Sequence, residues 1–223
     1  GASESGATVH LYLEPDCGGL PVAQGPTDGS GTFALPVTVP KNATTLIFGT
    51  STDSASNVGP CSPIPASYTH DDLPPNPPVI GTLTPTSPTA TTTTPSVSLT
   101  AEPGSTVGLF LTDCTGVAIA TGVEDASGQV TLTATVPENA TSVLKAQATD
   151  AAGNPSACSP GVSFTHDATA PTAVVLTAIA PIGPSANPAP VLTGTAEALT
   201  DVAIFQDASC GGAPIAVTPA SAT

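Results

Sequence analysis

Short runs in which apolar and polar residues alternate recur along the whole chain. Residues 130–136 read Val-Thr-Leu-Thr-Ala-Thr-Val, with an apolar residue at every even position. Similar runs occupy 106–111, 143–149 and 162–165. A period of two residues predicts half-buried β-strands, and no segment keeps a helical period over three turns. Clusters of Gly, Pro, Asn and Asp separate the runs, as expected for a sandwich of about seven short strands.

The strand pattern belongs to a repeat of about 96–97 residues. An apolar six-residue run occurs three times, and a cysteine follows each copy within a few residues. The runs are 8–13, 106–111 and 201–206, and the cysteines are Cys17, Cys114 and Cys210. Each repeat carries one supersecondary unit, so the period predicts a chain of successive similar domains.

The end of the repeat is marked by a His-Asp pair, at 70–71 and again at 166–167. The Pro/Thr-rich stretch 74–96 is interpreted as an edge strand interrupted by prolines, with a flexible linker as the alternative. Three units are therefore predicted: 1–71, which lacks its first strand, 72–167, which is complete, and 168–223, which is the N-terminal half of a third.

Several longer sequence segments resemble those of a known family. They are Ala-Glu-Pro-Gly-Ser-Thr-Val (101–107), Thr-Asp-Ala-Ala-Gly-Asn (149–154), His-Asp-Ala-Thr-Ala-Pro (166–171) and Gly-Thr-Ala-Glu (194–197). The whole chain resembles the bacterial Ig-like domains that form arrays in large surface adhesins and other secreted proteins. This resemblance implies an all-β fold of tandem Ig-like or fibronectin-like β-sandwiches in an elongated array. The first unit departs from it, because its segment 52–57 lacks the turn glycine.

The composition narrows the possible partners. Charged residues make up 9% of the chain, and the net charge is −15 with only two basic side chains. Such a charge opposes binding to nucleic acid or to an acidic membrane surface. No apolar run approaches the roughly 20 residues that span a bilayer, so no membrane insertion is expected. The chain has no Trp and two Tyr, which leaves little aromatic surface for stacking on sugars.

The cysteines predict one disulfide in each of the first two units. Cys17 and Cys61 are separated by 44 residues, and so are Cys114 and Cys158. Pairing across repeats is the alternative, and a zinc site is disfavoured because the spacings do not fit one. Cys210 has no counterpart of the second cysteine in this sequence. Disulfides form in oxidising compartments, so they predict export to an extracellular or cell-surface location.

Five aspartates near the unit boundaries are candidate calcium ligands. They are Asp53, Asp71, Asp72, Asp150 and Asp167. The resemblance implies this role, because related adhesin arrays bind Ca²⁺ with linker and loop aspartates, and calcium takes six to eight oxygen ligands. The alternative is that Asp150 forms an Asx turn with its own backbone and that Asp167 caps a strand end. No other cofactor is predicted.

Two further residue pairs recur in the first two units. Asn42 and Asn139 each stand in an Asn-Ala-Thr sequon, which allows glycosylation, with a tight turn between strands as the alternative. His70 and His166 each precede an aspartate. A catalytic triad is not expected there, because the pair recurs once per repeat and the sequence has no Gly-x-Ser-x-Gly elbow.

The predicted function is therefore that of a non-catalytic, extracellular structural spacer in a surface adhesin, stalk or filament. Its expected partners are neighbouring repeats or copies of the same chain, together with a cell-surface or matrix ligand bound elsewhere in the parent protein. Two alternatives remain open at this point. One is a self-assembling fibre subunit in which copies complete each other's sandwiches by strand addition. The other is an accessory binding module of a secreted enzyme.

Overall fold

The computed structural model describes residues 1–221, and within that range the chain is all β-strand, turn and loop, with no helix. The first unit contributes β1 (Thr8–Tyr12), β2 (Ala23–Pro26), β3 (Ala43–Thr52) and β4 (Ala66–His70). The second contributes β5 (Val79–Thr84), β6 (Ser96–Thr100), β7 (Thr106–Leu111), β8 (Ala120–Val123), β9 (Gln129–Thr133), β10 (Ala140–Thr149) and β11 (Val162–His166). The third contributes β12 (Val175–Ala180), β13 (Val191–Thr195), β14 (Asp201–Ile204) and β15 (Ala216–Pro219).

The middle unit is a sandwich of two antiparallel sheets. One sheet has the order β11-β10-β7-β8 and the other the order β5-β6-β9. Alternation along β10 buries Leu144, Ala146 and Ala148, while the residues between them lie nearer the surface. The core that the two sheets enclose contains Val97, Leu99, Val107, Leu109, Leu132, Ala134, Val136, Leu144, Ala146, Ala148 and Phe164. The predicted all-β sandwich fold is thus confirmed.

The first strand region of the middle unit passes from one sheet to the other. β5 forms the edge of the three-stranded sheet, and a bulge between Ile80 and Leu83 interrupts its pairing with β6. Further along, Thr89 forms a parallel bridge with His166 at the end of β11. The Pro/Thr-rich stretch 74–96 therefore holds an ordered edge strand, and its second half pairs with the end of β11 through Thr89.

The first unit repeats one sheet of the middle unit, in the order β2-β1-β3-β4. Thr8 lies opposite Thr52 in its β1–β3 pair, as Thr106 lies opposite Thr149 in the β7–β10 pair. Three hydrophobic residues are buried in it, Ala7, Val9 and Phe48. Its buried apolar core is therefore much smaller than that of the middle unit.

The described part of the third unit consists of two hairpins, β12-β13 and β14-β15. An open groove of about 790 Å³ lies between them, lined by apolar side chains that include Leu192, Val202 and Ile204. Leu176 is 58% exposed, whereas Ile80, its counterpart in the middle unit, packs against the core.

Candidate functional site at the unit junctions

The C-terminal edge of each of the first two units is closed by an asparagine and a histidine. Asn42 and Asn139 lie in the turn before β3 and β10, with φ angles of 54° and 49°. Asparagine tolerates this left-handed conformation better than most residues. The backbone N–H of Asn42 donates to His70 Nδ1 at 3.2 Å, and that of Asn139 donates to His166 Nδ1 at 3.0 Å. Each histidine thus holds the turn that precedes its neighbouring strand.

The side chains of the same asparagines hold the chain as it leaves the unit. Asn42 Oδ1 accepts the backbone N–H of Asp72 at 2.8 Å, and Asn139 Oδ1 accepts that of Ala168 at 2.7 Å. We call each set of contacts, the asparagine with its histidine and its linker N–H, an exit clamp. Two successive units carry the same clamp, so the direction in which the chain leaves them is fixed in the same way.

A charged pair adds to the first exit clamp. Lys41 Nζ lies 3.3 Å from Asp72 Oδ2, and both side chains are substantially exposed. The side chain of Asn42, followed by Lys41, holds the pKa of Asp72 below its usual range. Exposed ion pairs contribute about 0–1 kcal/mol. We therefore expect the neutral hydrogen bonds of Asn42 to stabilise the clamp more than this ion pair does.

The loop aspartates of the two units form matching Asx turns. Asp150 Oδ1 accepts the backbone N–H groups of Ala152 and Asn154, and its Oδ2 accepts Asn154 Nδ2 at 2.9 Å. Asp53 makes the corresponding bonds in the first unit, including one from Asn57 Nδ2 at 2.8 Å. The asparagine side chain is the main cause that lowers the pKa of each aspartate. Both loop carboxylates therefore accept their hydrogen bonds from their own loops.

The other two candidate calcium ligands also bond locally. Asp71 Oδ1 accepts the N–H of Leu73, and Asp167 Oδ1 accepts that of Thr169, both at 3.0 Å. Among residues 1–221, no group of three or more His, Cys, Asp or Glu side chains is arranged to hold a metal ion. The structure thus brings the five aspartates to turns and linkers rather than into one cluster, and calcium binding stays a prediction.

One hydrogen bond joins the linker to the loop 150–154 of the middle unit. Asn154 Nδ2, besides its bond to Asp150, donates to the backbone carbonyl of Asp71 at 3.1 Å. Sequence reasoning singled out the aspartate of this loop but missed the asparagine. The available signal was the Asp-x-x-x-Asn spacing, which recurs at 53–57 and 150–154.

Comparison with known families identifies the middle unit. Residues 83–164 match the family model described as the bacterial Ig domain. The middle unit is a bacterial Ig domain. No curated protein is significantly similar in sequence to the chain.

Two solved structures are similar to this chain. One is a biofilm-associated protein, BSP domain, with 19% identity and a TM-score of 0.33, where the match covers 75% of this chain and 26% of the other. The second comprises the FN1–FN3 domains of chicken CNTN1, with 14% identity, a TM-score of 0.41 and coverage of 73% and 54%. This chain therefore spans about a quarter of the first structure's chain and about half of the second's.

The Ig domain and the unit before it each contain one disulfide. Cys17 is bonded to Cys61 and Cys114 to Cys158, and the two Cα atoms are 5.7 Å apart in both pairs. Each disulfide joins the loop after one central strand to the segment between the last two strands. Cys210 is exposed and has no partner within the described residues.

The sequon asparagines are the same residues that form the exit clamps. Both are exposed, and each uses its backbone N–H and its Oδ1 in the clamp. The structure therefore shows the tight turn that was the alternative to glycosylation, and it leaves glycosylation at Asn42 and Asn139 untested.

Proposed function

We propose that the chain is a non-catalytic, extracellular structural array of Ig-like units that acts as a spacer in a surface adhesin, stalk or filament. The observation that carries this proposal is the repetition of the exit clamp in two successive units. A binding or catalytic site needs side chains that face a ligand, whereas the recurring Asn, His and Asp residues bind the backbone of their own turns and linkers. Repetition of a linker geometry serves the regular placement of one unit after another.

The use of the histidines supports a structural role over a hydrolytic one. A catalytic histidine must accept a proton from a nucleophile and be oriented by a third group. In both units the Nδ1 atom instead accepts a backbone N–H from the clamp asparagine. His166 is also only 5% exposed, which leaves its ring little access to a substrate.

The extracellular location is supported by the disulfides, since such bonds persist in oxidising compartments. No helix within residues 1–221 has the length and apolar character that crossing a membrane requires. Immunolabelling of intact source cells, compared with permeabilised cells, tests the location. Labelling of intact cells is expected, and labelling that appears only after permeabilisation would contradict the proposal.

The spacer role predicts an elongated particle. A single compact domain of this length would have a radius of gyration of about 17 Å. Small-angle X-ray scattering of the chain should give a clearly larger value and an asymmetric distance distribution. A value near that of a compact sphere, at protein concentrations where the chain is monomeric, would refute the spacer role.

A further inference from the structure

A single peptide group lies between the first unit and the Ig domain and is bonded to both. It is the peptide that joins Asp71 to Asp72. Its N–H donates to Asn42 Oδ1 in the first unit at 2.8 Å, and its carbonyl oxygen accepts Asn154 Nδ2 of the Ig domain at 3.1 Å. A peptide group is planar and rigid. The two hydrogen bonds therefore attach both units to the same rigid group, which restricts their relative orientation.

The Asn154 amide has the chemistry to serve as the connecting group. A side-chain amide has two N–H donors. One donates to Asp150 Oδ2 at 2.9 Å, which fixes the side chain on its loop, and the amide also reaches the Asp71 carbonyl. Asn154 is half-buried, whereas the equivalent Asn57 of the first unit is exposed. Asn57 makes the same bond within its loop, to Asp53, but within residues 1–221 it contacts no linker.

We propose that the loop 150–154 is the docking surface for the end of the preceding unit, and that Asn154 sets the orientation between the two units. Its partner is the backbone carbonyl that follows the unit's terminal histidine. No other hydrogen bond among the described residues joins 1–71 to 74–167. The proposal deepens the spacer function and rests on it for its biological meaning, because a spacer needs joints of defined angle.

The test compares Asn154→Ala with Asn57→Ala in the full chain. Both variants lose the same bond within their loop, and only Asn154→Ala also loses the bond to the linker. Residual dipolar couplings measured by NMR report the orientation of each unit. In the unmodified chain and in Asn57→Ala, one alignment tensor should fit residues 1–70 and 79–166 together. In Asn154→Ala, the common fit should be lost while each unit still fits its own tensor.

Two results would overturn the proposal. One is an Asn154→Ala variant whose two units still share one tensor. The other is an Asn57→Ala variant that loses the common tensor as well, because the effect would then come from loosening of either loop. Scattering on the same samples separates this outcome from failure of the spacer function. A compact unmodified chain refutes the spacer, while an elongated chain with an unchanged joint refutes only the role of Asn154.

A measurement on the unmodified chain needs no substitution. Proton exchange of the two Nδ2 hydrogens can be followed separately for each asparagine side chain. Both hydrogens of Asn154 should exchange slowly, whereas Asn57 should have one slow hydrogen and one that exchanges at the rate of a free amide. The proposal is wrong if Asn154 also has one hydrogen that exchanges at the free rate.

Discussion

Glu124 buries a carboxyl group in the Ig domain at the end of β8. The residue is 4% exposed, and among the described residues neither of its side-chain oxygens has a hydrogen-bond partner. The hydroxyl of Ser105, which is also buried, lacks a partner there as well. Burial raises the pKa of Glu124, and the nearby Asp125 carboxylate adds to the effect. Ionisation of Glu124 should therefore destabilise this unit.

The first unit shows what a suitable side chain does at this position. Thr27 is the counterpart of Glu124, since the backbone N–H of Thr27 donates to Ala7 O at 2.9 Å and that of Glu124 donates to Ser105 O at the same distance. The Thr27 hydroxyl donates its one hydrogen to Glu4 O at 2.7 Å, and Ala7 O lies within reach of the same hydroxyl at 3.2 Å. The equivalent carbonyls in the Ig domain belong to Glu102 and Ser105, and a carboxylate has no hydrogen to donate to them. Glu124→Thr should therefore replace an unpaired charge by a paired hydroxyl.

The expected gain follows from the cost of an unsatisfied buried polar group. That cost is about 1–3 kcal/mol, and it is larger for a charged group. An acid with a raised pKa in the folded state binds more protons when folded than when unfolded. Its contribution to the free energy of unfolding therefore falls as pH rises. Its stabilising effect is fully present below the unfolded pKa, about 4.3 for Glu. It is lost as pH rises through the higher folded pKa. Glu124→Thr should remove this pH dependence of stability and raise the free energy of unfolding of the unit at pH 7.

Native-state amide hydrogen exchange in the full chain can report each unit separately. The buried amide of Ala146 donates to Ser159 Oγ, and its counterpart in the first unit, the amide of Gly49, donates to Ser62 Oγ. After correction for intrinsic exchange rates, Glu124→Thr should slow exchange at Ala146 by about 5- to 150-fold at pH 7, since 1.4 kcal/mol is a factor of ten. Exchange at Gly49 should not change.

The reciprocal variant Thr27→Glu is the matched test. It should speed exchange at Gly49 and give the first unit a stability that falls with rising pH, while Ala146 stays unchanged. The reasoning is refuted if protection at Ala146 in the unmodified chain does not decrease between pH 4 and pH 7 relative to Glu124→Thr. It is also refuted if Glu124→Thr speeds exchange at Ala146 at pH 7.

Three further predictions concern the disulfide, the core and the exit clamp. Replacing Cys114 and Cys158 together by Ala should lower the free energy of unfolding of the Ig domain by about 4 kcal/mol, as chemical denaturation would show, and an unchanged midpoint would contradict this. Phe164→Ala should cost about 3–5 kcal/mol, because the ring is fully buried. Asn139→Ala should destabilise the turn more than Asn139→Gly, by about 1–2 kcal/mol, because glycine adopts the positive φ without strain; equal melting temperatures for the two variants would refute this.

The strands, the repeat and the fold class could be predicted from the sequence alone. The strands at 130–136 and 143–149 could be predicted because side chains of successive strand residues point to opposite faces. The resulting alternation is visible within each strand, without knowledge of its neighbours. The equal 44-residue spacing of Cys17–Cys61 and Cys114–Cys158 indicated the pairing that the structure contains. The repeat made this prediction of the disulfide pairs possible, because the same pair of cysteines occurs at equivalent positions in two units.

Which of the recurring polar residues lie in contact could not be predicted, because it is a property of the packed fold. The exit clamp joins residues 28 and 27 positions apart in the two units, and the Asn154–Asp71 bond joins residues 83 positions apart. Such contacts depend on how sheets and linkers are placed, and strand periodicity carries no information about that placement. The burial of Glu124 has the same origin. A charged residue beside a turn is usually exposed, and only the packed sandwich shows that this carboxyl lies inside.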